Sequence, residues 1–327
     1  MIGLLERAFD NLFGRGEAAV TVPPLDGALQ PNRHLDEADA RAGLDDVDCL
    51  AVHGGRLVAS AGSDLFEPGE GGAWRVRQSH GARVTALAAA GDGTLAAGLA
   101  NGDVMIEGGP FDGRTYRAGG DATCITALAV SGSSLLIAIG SAANAAEDWQ
   151  RDLLERNASG SVWRIDMESG RASIVADGLA WPAGIVAEGE AIVVSEAWKH
   201  RLARIGGTGR GRLEVLHADL PGYPGRLSPA ADGYWLAMFA PRSQIIEFVL
   251  REPGYRKRMM AEVPQPYWVA PRLRSGRSFY ESLQGGAVKH LGMLKPWAPT
   301  LKYNWVRINA SEISGREFEI GEEPERY

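Results

Sequence analysis

Thr126-Ala-Leu-Ala-Val-Ser-Gly-Ser-Ser-Leu-Leu-Ile-Ala-Ile139 is the stretch on which the fold turns. Two short apolar runs flank a Ser-Gly turn, the pattern of an antiparallel hairpin. The same unit appears at Asp48-Cys-Leu-Ala-Val-His-Gly-Gly-Arg-Leu-Val-Ala-Ser60 and at Thr85-Ala-Leu-Ala-Ala-Ala-Gly-Asp-Gly-Thr-Leu-Ala-Ala-Gly98. Two further copies are Gly184-Ile-Val-Ala-Glu-Gly-Glu-Ala-Ile-Val-Val-Ser195 and Leu227-Ser-Pro-Ala-Ala-Asp-Gly-Tyr-Trp-Leu-Ala-Met238. A third strand follows the hairpin, as in Gly160-Ser-Val-Trp-Arg-Ile165 and Arg201-Leu-Ala-Arg-Ile205, and a fourth is legible at Leu213-Glu-Val-Leu216.

Four strands recurring every ~35 to 50 residues predict blades, because one such sheet cannot bury both its faces and must stack on neighbours. The expectation is an all-β protein, a β-propeller with a ligand-sized channel on its axis. Small residues such as Ala96, Ala97 and Gly98 suit crowded strands near that axis. Long amphipathic crossover helices are missing between the strands, which disfavours a parallel α/β fold.

Composition agrees. The chain has 327 residues, of which 45% are hydrophobic and 23% charged, enough apolar material for a full core. Its 42 glycines exceed the average share and cluster between apolar runs, as many tight turns require. A formal charge of -7 supplies no basic footprint, so nucleic acid is not an expected partner. Cys49 and Cys124 stand apart in apolar surroundings and read as reduced core thiols. No apolar run is long enough to span a membrane, and Glu6, Arg7 and Asp10 interrupt the stretch a signal peptide would need. A cytoplasmic location is expected.

Residues 1–44 are read as a leader outside the propeller of 45–327. Leu4, Leu5, Ala8, Phe9, Leu12 and Phe13 give residues 1–13 one apolar helical face, suited to docking on the body or on a protein partner. Pro23, Pro24 and Pro31 make the remainder extended. Asn144 to Asn157 read as a helix inserted in the third unit, and residues 282–303 as a long insertion in the last. Both are expected either to border the channel or to cap an edge.

Five segments occur in order and at close spacing: Ser159-Gly-Ser-Val-Trp-Arg-Ile-Asp166, Asp177-Gly-Leu-Ala-Trp-Pro-Ala-Gly-Ile185, Val193-Val-Ser-Glu-Ala-Trp198, Arg201-Leu-Ala-Arg-Ile205 and Leu220-Pro-Gly-Tyr-Pro224. With Asp232-Gly-Tyr-Trp-Leu-Ala237 after them, the set resembles the strictosidine synthase-like family and its gluconolactonase and paraoxonase relatives. The resemblance covers about a quarter of the chain well. It implies six blades, the last of them either completed by the leader or missing strands. For the hydrolytic relatives it also implies a divalent cation, usually calcium, held by carboxylate and amide oxygens. The corresponding positions are Asp48, Ala183 and the Gly225-Arg226 pair. Only Asp48 offers a side-chain oxygen, and Arg226 brings a guanidinium toward the cation's place. The expectation is therefore a degenerate calcium site, with no cofactor.

The condensing enzyme of the family implies a buried acid-base glutamate. Glu281 and Glu196 are the candidates, each with a structural alternative as a strand-end or turn carboxylate. Arg226 and Arg242 favour an acidic ligand, and Trp268 and Trp297 are the tryptophans nearest the loops that line a pocket. The remaining tryptophans, Trp149, Trp181 and Trp198 among them, read as packing residues. Gly206-Gly-Thr-Gly-Arg-Gly211 is a turn without a phosphate-binding Lys-Ser or Lys-Thr, the six histidines lack zinc spacing, and no Gly-x-Ser-x-Gly elbow is present. Three functions stay open: an esterase or lactonase-type hydrolase of a small acidic molecule, a non-catalytic ligand-binding or assembly propeller, and an amine-aldehyde condensing enzyme.

Overall fold

Antiparallel hairpins with apolar residues on both faces build the protein, because the second, third and fourth of its sheets are each sandwiched between two others. The computed structural model describes residues 43–207, 209–231 and 233–271, with the strand segments Lys289–His290, Met293–Leu294 and Val306–Asn309. The first sheet runs β1 (Val47–His53), β2 (Arg56–Ala61), β3 (Asp64–Pro68), β4 (Trp74–Ser79). The second runs β5 (Val84–Ala89), β6 (Leu95–Leu99), β7 (Asp103–Glu107), β8 (Thr115–Arg117). The third is β9 (Ile125–Ser131), β10 (Ser134–Ile139), β11 (Gly160–Asp166), β12 (Arg171–Leu179). The fourth is β13 (Pro182–Glu188), β14 (Ala191–Glu196), β15 (Arg201–Gly206), β16 (Arg212–His217). A fifth sheet pairs β17 (Gly222–Ala230), β18 (Gly233–Pro241) and β21 (Val306–Asn309), while β19 (Lys289–His290) and β20 (Met293–Leu294) pair with each other.

The first strands of successive sheets, β1, β5, β9, β13 and β17, stand side by side around a common axis. This is a β-propeller, and the five hairpins of the sequence are the two inner strands of its five described blades. Blade packing explains the near-continuous apolar runs. Along β10, Leu135, Ile137 and Ile139 face Ala86, Ala96 and Val104 of the second blade, whereas Leu136 and Ala138 face Ile185, Ile192 and Val194 of the fourth. Strict alternation of polar and apolar residues would leave one of these two interfaces without a core. Gly98 permits the close approach of the second and third blades, since a Cβ there would lie 2.8 Å from Ile125 Cγ2.

Cys49, Val58 and Leu65 of the first blade pack on Val84 and Leu95 of the second. Leu50, Val52, Leu57 and Val76 on that blade are exposed among the described residues. The expected sixth blade, the expected helix of 1–13, residues 14–42, Glu281, Trp297 and nearly all of 282–303 lie outside the described residues. No helix among the described residues is long and apolar enough to cross a membrane. Cys49 and Cys124 are free and buried, and burial pushes their thiols up to about 11 and about 12, so neither ionises near neutrality.

Three α-helices accompany the described sheets. The expected insertion forms α1 (Trp149–Glu155), led by a 3₁₀ turn at Ala146–Asp148, in the connection from β10 to β11. The connection after β18 carries α2 (Gln244–Arg251) and α3 (Pro253–Glu262), which the sequence reading did not anticipate. Ile246, Val249, Leu250 and Met259 give this pair its buried face against Leu153 and Leu154 of α1. Both insertions therefore belong to one end of the propeller, the end at which the inner strands begin.

Candidate functional site

A cavity of about 750 Å³ opens at that end, within the range typical of small-molecule sites. The starts of β1, β5, β9, β13 and β17 line it through Asp48, Thr85, Thr126, Ala183 and Arg226, and α1 contributes Trp149. Asp48, Ala183 and Arg226, separated widely in sequence, thus line one cavity. Ala183 stands beside β17 because its neighbour is glycine: a Cβ on Gly184 would lie 2.5 Å from Gly225 O and 2.6 Å from Leu227 N.

Arg226 reaches from the fifth blade to two others. Its Nη2 donates to Asp48 Oδ1 at 2.7 Å and to the carbonyl of Thr85 at 2.9 Å. The residues present do not fit a calcium ion. Asp48 is committed to a guanidinium, Ala183 and Gly225 offer no side-chain oxygen, and a second cation beside Arg226 would be repelled. No group of three or more His, Cys, Asp or Glu is placed to hold a metal among the described residues.

One wall of the cavity is aromatic. Trp198 stacks on Trp181 at 5.2 Å and on Trp149 at 6.4 Å between ring centroids, and Phe239 meets Trp149 edge-on at 5.6 Å. Trp198 is fixed by its indole N–H, which donates to Asp152 Oδ1 at 2.8 Å, and Asp152 in turn accepts from Asn144 and Asn157. Asp152 is 1% exposed, so helix α1 and the aromatic wall are locked to each other. Trp149, Trp181 and Trp198 pack in the core as the sequence reading expected, and they also line the cavity, which that reading did not anticipate. Their signal was position, since each lies at or near the start of a strand or insertion at the channel end.

The rim is acidic. Asp45, Asp46, Asp48 and Glu147 line the cavity, with Arg83 and Arg226 as the cationic side chains among the described residues. Arg83 grips Asp46 through two hydrogen bonds of 2.7 and 2.9 Å, which raise the guanidinium pKa further, and Arg226 is paired with Asp48. Asp45 and Glu147 have no ion-pair partner among the described residues. The rim therefore carries an excess of negative charge.

Other predicted site residues lie elsewhere. Arg242 does not line the cavity; it is buried, donating to Asp219 Oδ1 at 2.6 Å and to Glu247 Oε2 at 3.4 Å, and it anchors α2 to the strand ends. With Arg226 also paired, the two arginines do not form an anion pocket. Trp268 is 2% exposed and packs among α1, α2 and α3, its indole N–H donating to Val263 O, so it is a core residue. Glu196 is fully buried beneath the wall. It accepts the Ala180 N–H at 3.0 Å, pairs with Lys199 at 2.9 Å and is hydrogen-bonded to Arg201. A carboxylate saturated by two cations and an amide is unsuited to proton transfer. Its place explains its role: it clamps the turn in which Trp181 holds φ at 55°, a left-handed conformation that costs a bulky residue ~1–2 kcal/mol.

No family model matches the chain. An adipocyte plasma membrane-associated protein of Danio rerio is 28% identical over 123 residues, 33% of this chain and 30% of the relative, so the chain spans less than a third of that protein's length. Among solved structures, a putative gluconolactonase is similar at a TM-score of 0.47 and 13% identity, covering 64% of this chain and 80% of that one. Virginiamycin B lyase from Staphylococcus aureus is similar at a TM-score of 0.42 and 14% identity, covering 59% and 63%. A nidogen/laminin complex gives 0.45 and 13%, covering 62% and 77%.

Proposed function

We propose that the protein is a small-molecule-binding propeller that takes a flat organic cation in the channel-mouth cavity, without calcium. The observation that carries this is the pairing of Trp149, Trp181, Trp198 and Phe239 with a rim that holds more carboxylates than guanidinium groups. Aromatic faces attract a cation by ~0.5–2 kcal/mol, more when water is excluded, and the unpaired Asp45 and Glu147 add a field of the same sign. An acidic ligand would meet that field as repulsion.

Ester or lactone hydrolysis, which the resemblance suggests, ranks second. Thr85 and Thr126 are the hydroxyl side chains on the described wall, and each is hydrogen-bonded to a backbone carbonyl. No histidine, cysteine or lysine lines the cavity among the described residues, so hydrolysis would fall to a water activated by Asp45 or Glu147. The free thiols of Cys49 and Cys124 support placing the protein in a reducing compartment.

Titration calorimetry tests the binding proposal with benzyltrimethylammonium and its neutral carbon isostere. The cation should bind roughly ten-fold more tightly in low salt, lose part of that margin as salt rises, and lose most of it in Trp149→Ala. Equal affinity for the two probes would overturn the proposal. A lactone and aryl-ester panel with and without chelator separates the second reading: chelator-sensitive turnover would contradict metal independence.

A further inference from the structure

Arg226 lines the cavity and has donors to spare. Both hydrogens of Nη2 are used, on Asp48 Oδ1 and Thr85 O. Nη1 and Nε make no hydrogen bond among the described residues. Neither is buried without a partner, so the unused donors retain access to open space. The side chain is 36% exposed and lines the cavity beside Ala183 and Gly225, two positions with no polar side chain to compete.

We propose that Arg226 is the cavity's oxygen-binding residue, its Nη1 donating to a neutral carbonyl of the bound organic cation. This rests on the cation reading above and deepens it: the ligand carries a ketone, amide, ester or lactone oxygen at the end away from its positive charge. Neutrality of the oxygen follows from the charge count. Asp48 already balances the guanidinium at 2.7 Å, and Asp45, Asp46 and Glu147 on the same wall oppose a carboxylate. What remains of Arg226 is three directed N–H donors, two on Nη1 and one on Nε, on a guanidinium whose charge Asp48 offsets, suited to an uncharged acceptor. The residue thus stands where the resemblance implies a metal ion and offers an oxygen ligand the same kind of anchor, while tying three blades together.

Three probes decide it by calorimetry: para-acetylbenzyl trimethylammonium, its para-isopropenyl isostere, which lacks the oxygen, and the para-carboxy analogue. Wild-type protein should bind the acetyl compound roughly ten-fold more tightly than the isopropenyl one, with the carboxylate weakest. In Arg226→Met the acetyl preference should fall to about one, while affinity for both cations rises together because Asp48 loses its counter-charge. Should that variant unfold, the carbonyl stretch of the acetyl probe bound to wild-type protein gives the same answer, since hydrogen bonding by Nη1 moves it below its frequency in dry aprotic solvent. Equal binding of acetyl and isopropenyl probes, a preference that survives Arg226→Met, tightest binding of the carboxylate, or an unshifted stretch would overturn the assignment. If no probe binds at all, the cation reading falls; if all bind without preference, only the role of Arg226 falls.

Discussion

Glu196→Gln separates a catalytic glutamate from a structural one. The wild-type carboxylate is fully buried and accepts from Ala180 N, Lys199 Nζ and Arg201. The amide keeps one acceptor oxygen and turns an NH₂ toward donors. Removing one partner of a buried ion pair costs about 3–5 kcal/mol, and the share due to Lys199 is small because that side chain is 39% exposed. The lower end, about 3 kcal/mol, is expected. For a propeller of this size, at ~2.1 cal/mol/K of unfolding entropy per residue, that lowers Tm by roughly 5 °C. The turn carrying Trp181 should loosen too, because the Ala180 N–H loses its charged acceptor and φ of 55° is no longer held. Urea denaturation with far-UV circular dichroism reads the first effect, and the benzyltrimethylammonium titration reads the second as weaker binding. A variant with unchanged melting and unchanged cation binding, but with abolished turnover of any substrate, would refute the structural role and restore Glu196 as an acid-base residue.

Gly184→Ala should destabilise the fold by about 3 kcal/mol, since the new Cβ meets backbone atoms of β17 at 2.5, 2.6 and 2.9 Å rather than a side chain that can yield. Because β17 carries Arg226, the acetyl-over-isopropenyl preference should fall with it; a variant as stable as wild type would contradict the close approach of the two strands. His200 sets a pH dependence. Burial, with Arg242 adding to it, depresses its pKa to about 3. Glu247 lies 3.5 Å away but is shared with Arg242 and Tyr223, which limits its pull on the imidazole. A folded pKa below the unfolded value of ~6.5 means the unfolded chain binds the proton first. Stability is complete above pH ~6.5 and declines toward pH 3 by up to ~1.4 kcal/mol per unit. Melting curves of wild type and His200→Phe between pH 7 and 4 should diverge, and parallel curves would show that His200 titrates normally.

The blades were legible because their cause is local. An apolar run, a glycine turn and a second run can form little else, and repetition of the unit requires stacking whatever the surrounding loops contain. Ala96, Ala97 and Gly98 already pointed to crowded inner strands. Helices α2 and α3 were not legible: Ile246, Val249 and Leu250 show a helical period over barely two turns, and their stability comes from packing on Leu153 and Leu154, about ninety residues earlier in sequence.

The site divides in the same way. Sequence alone brought Asp48, Ala183 and Arg226 under suspicion and showed that oxygen ligands were missing, because residue identity fixes which donors exist. Only the tertiary structure decided what each group does. Arg226 turns out to be spoken for by Asp48 and Thr85, Arg242 by Asp219 and Glu247, and Glu196 by three donors at once. A charge's function depends on which partners satisfy it, and here those partners lie as far as 178 positions along the chain. The tryptophans obey the same rule, since whether an indole fills a core or walls a cavity depends on the empty space beside it, a property of the assembled ring of blades and of no single segment.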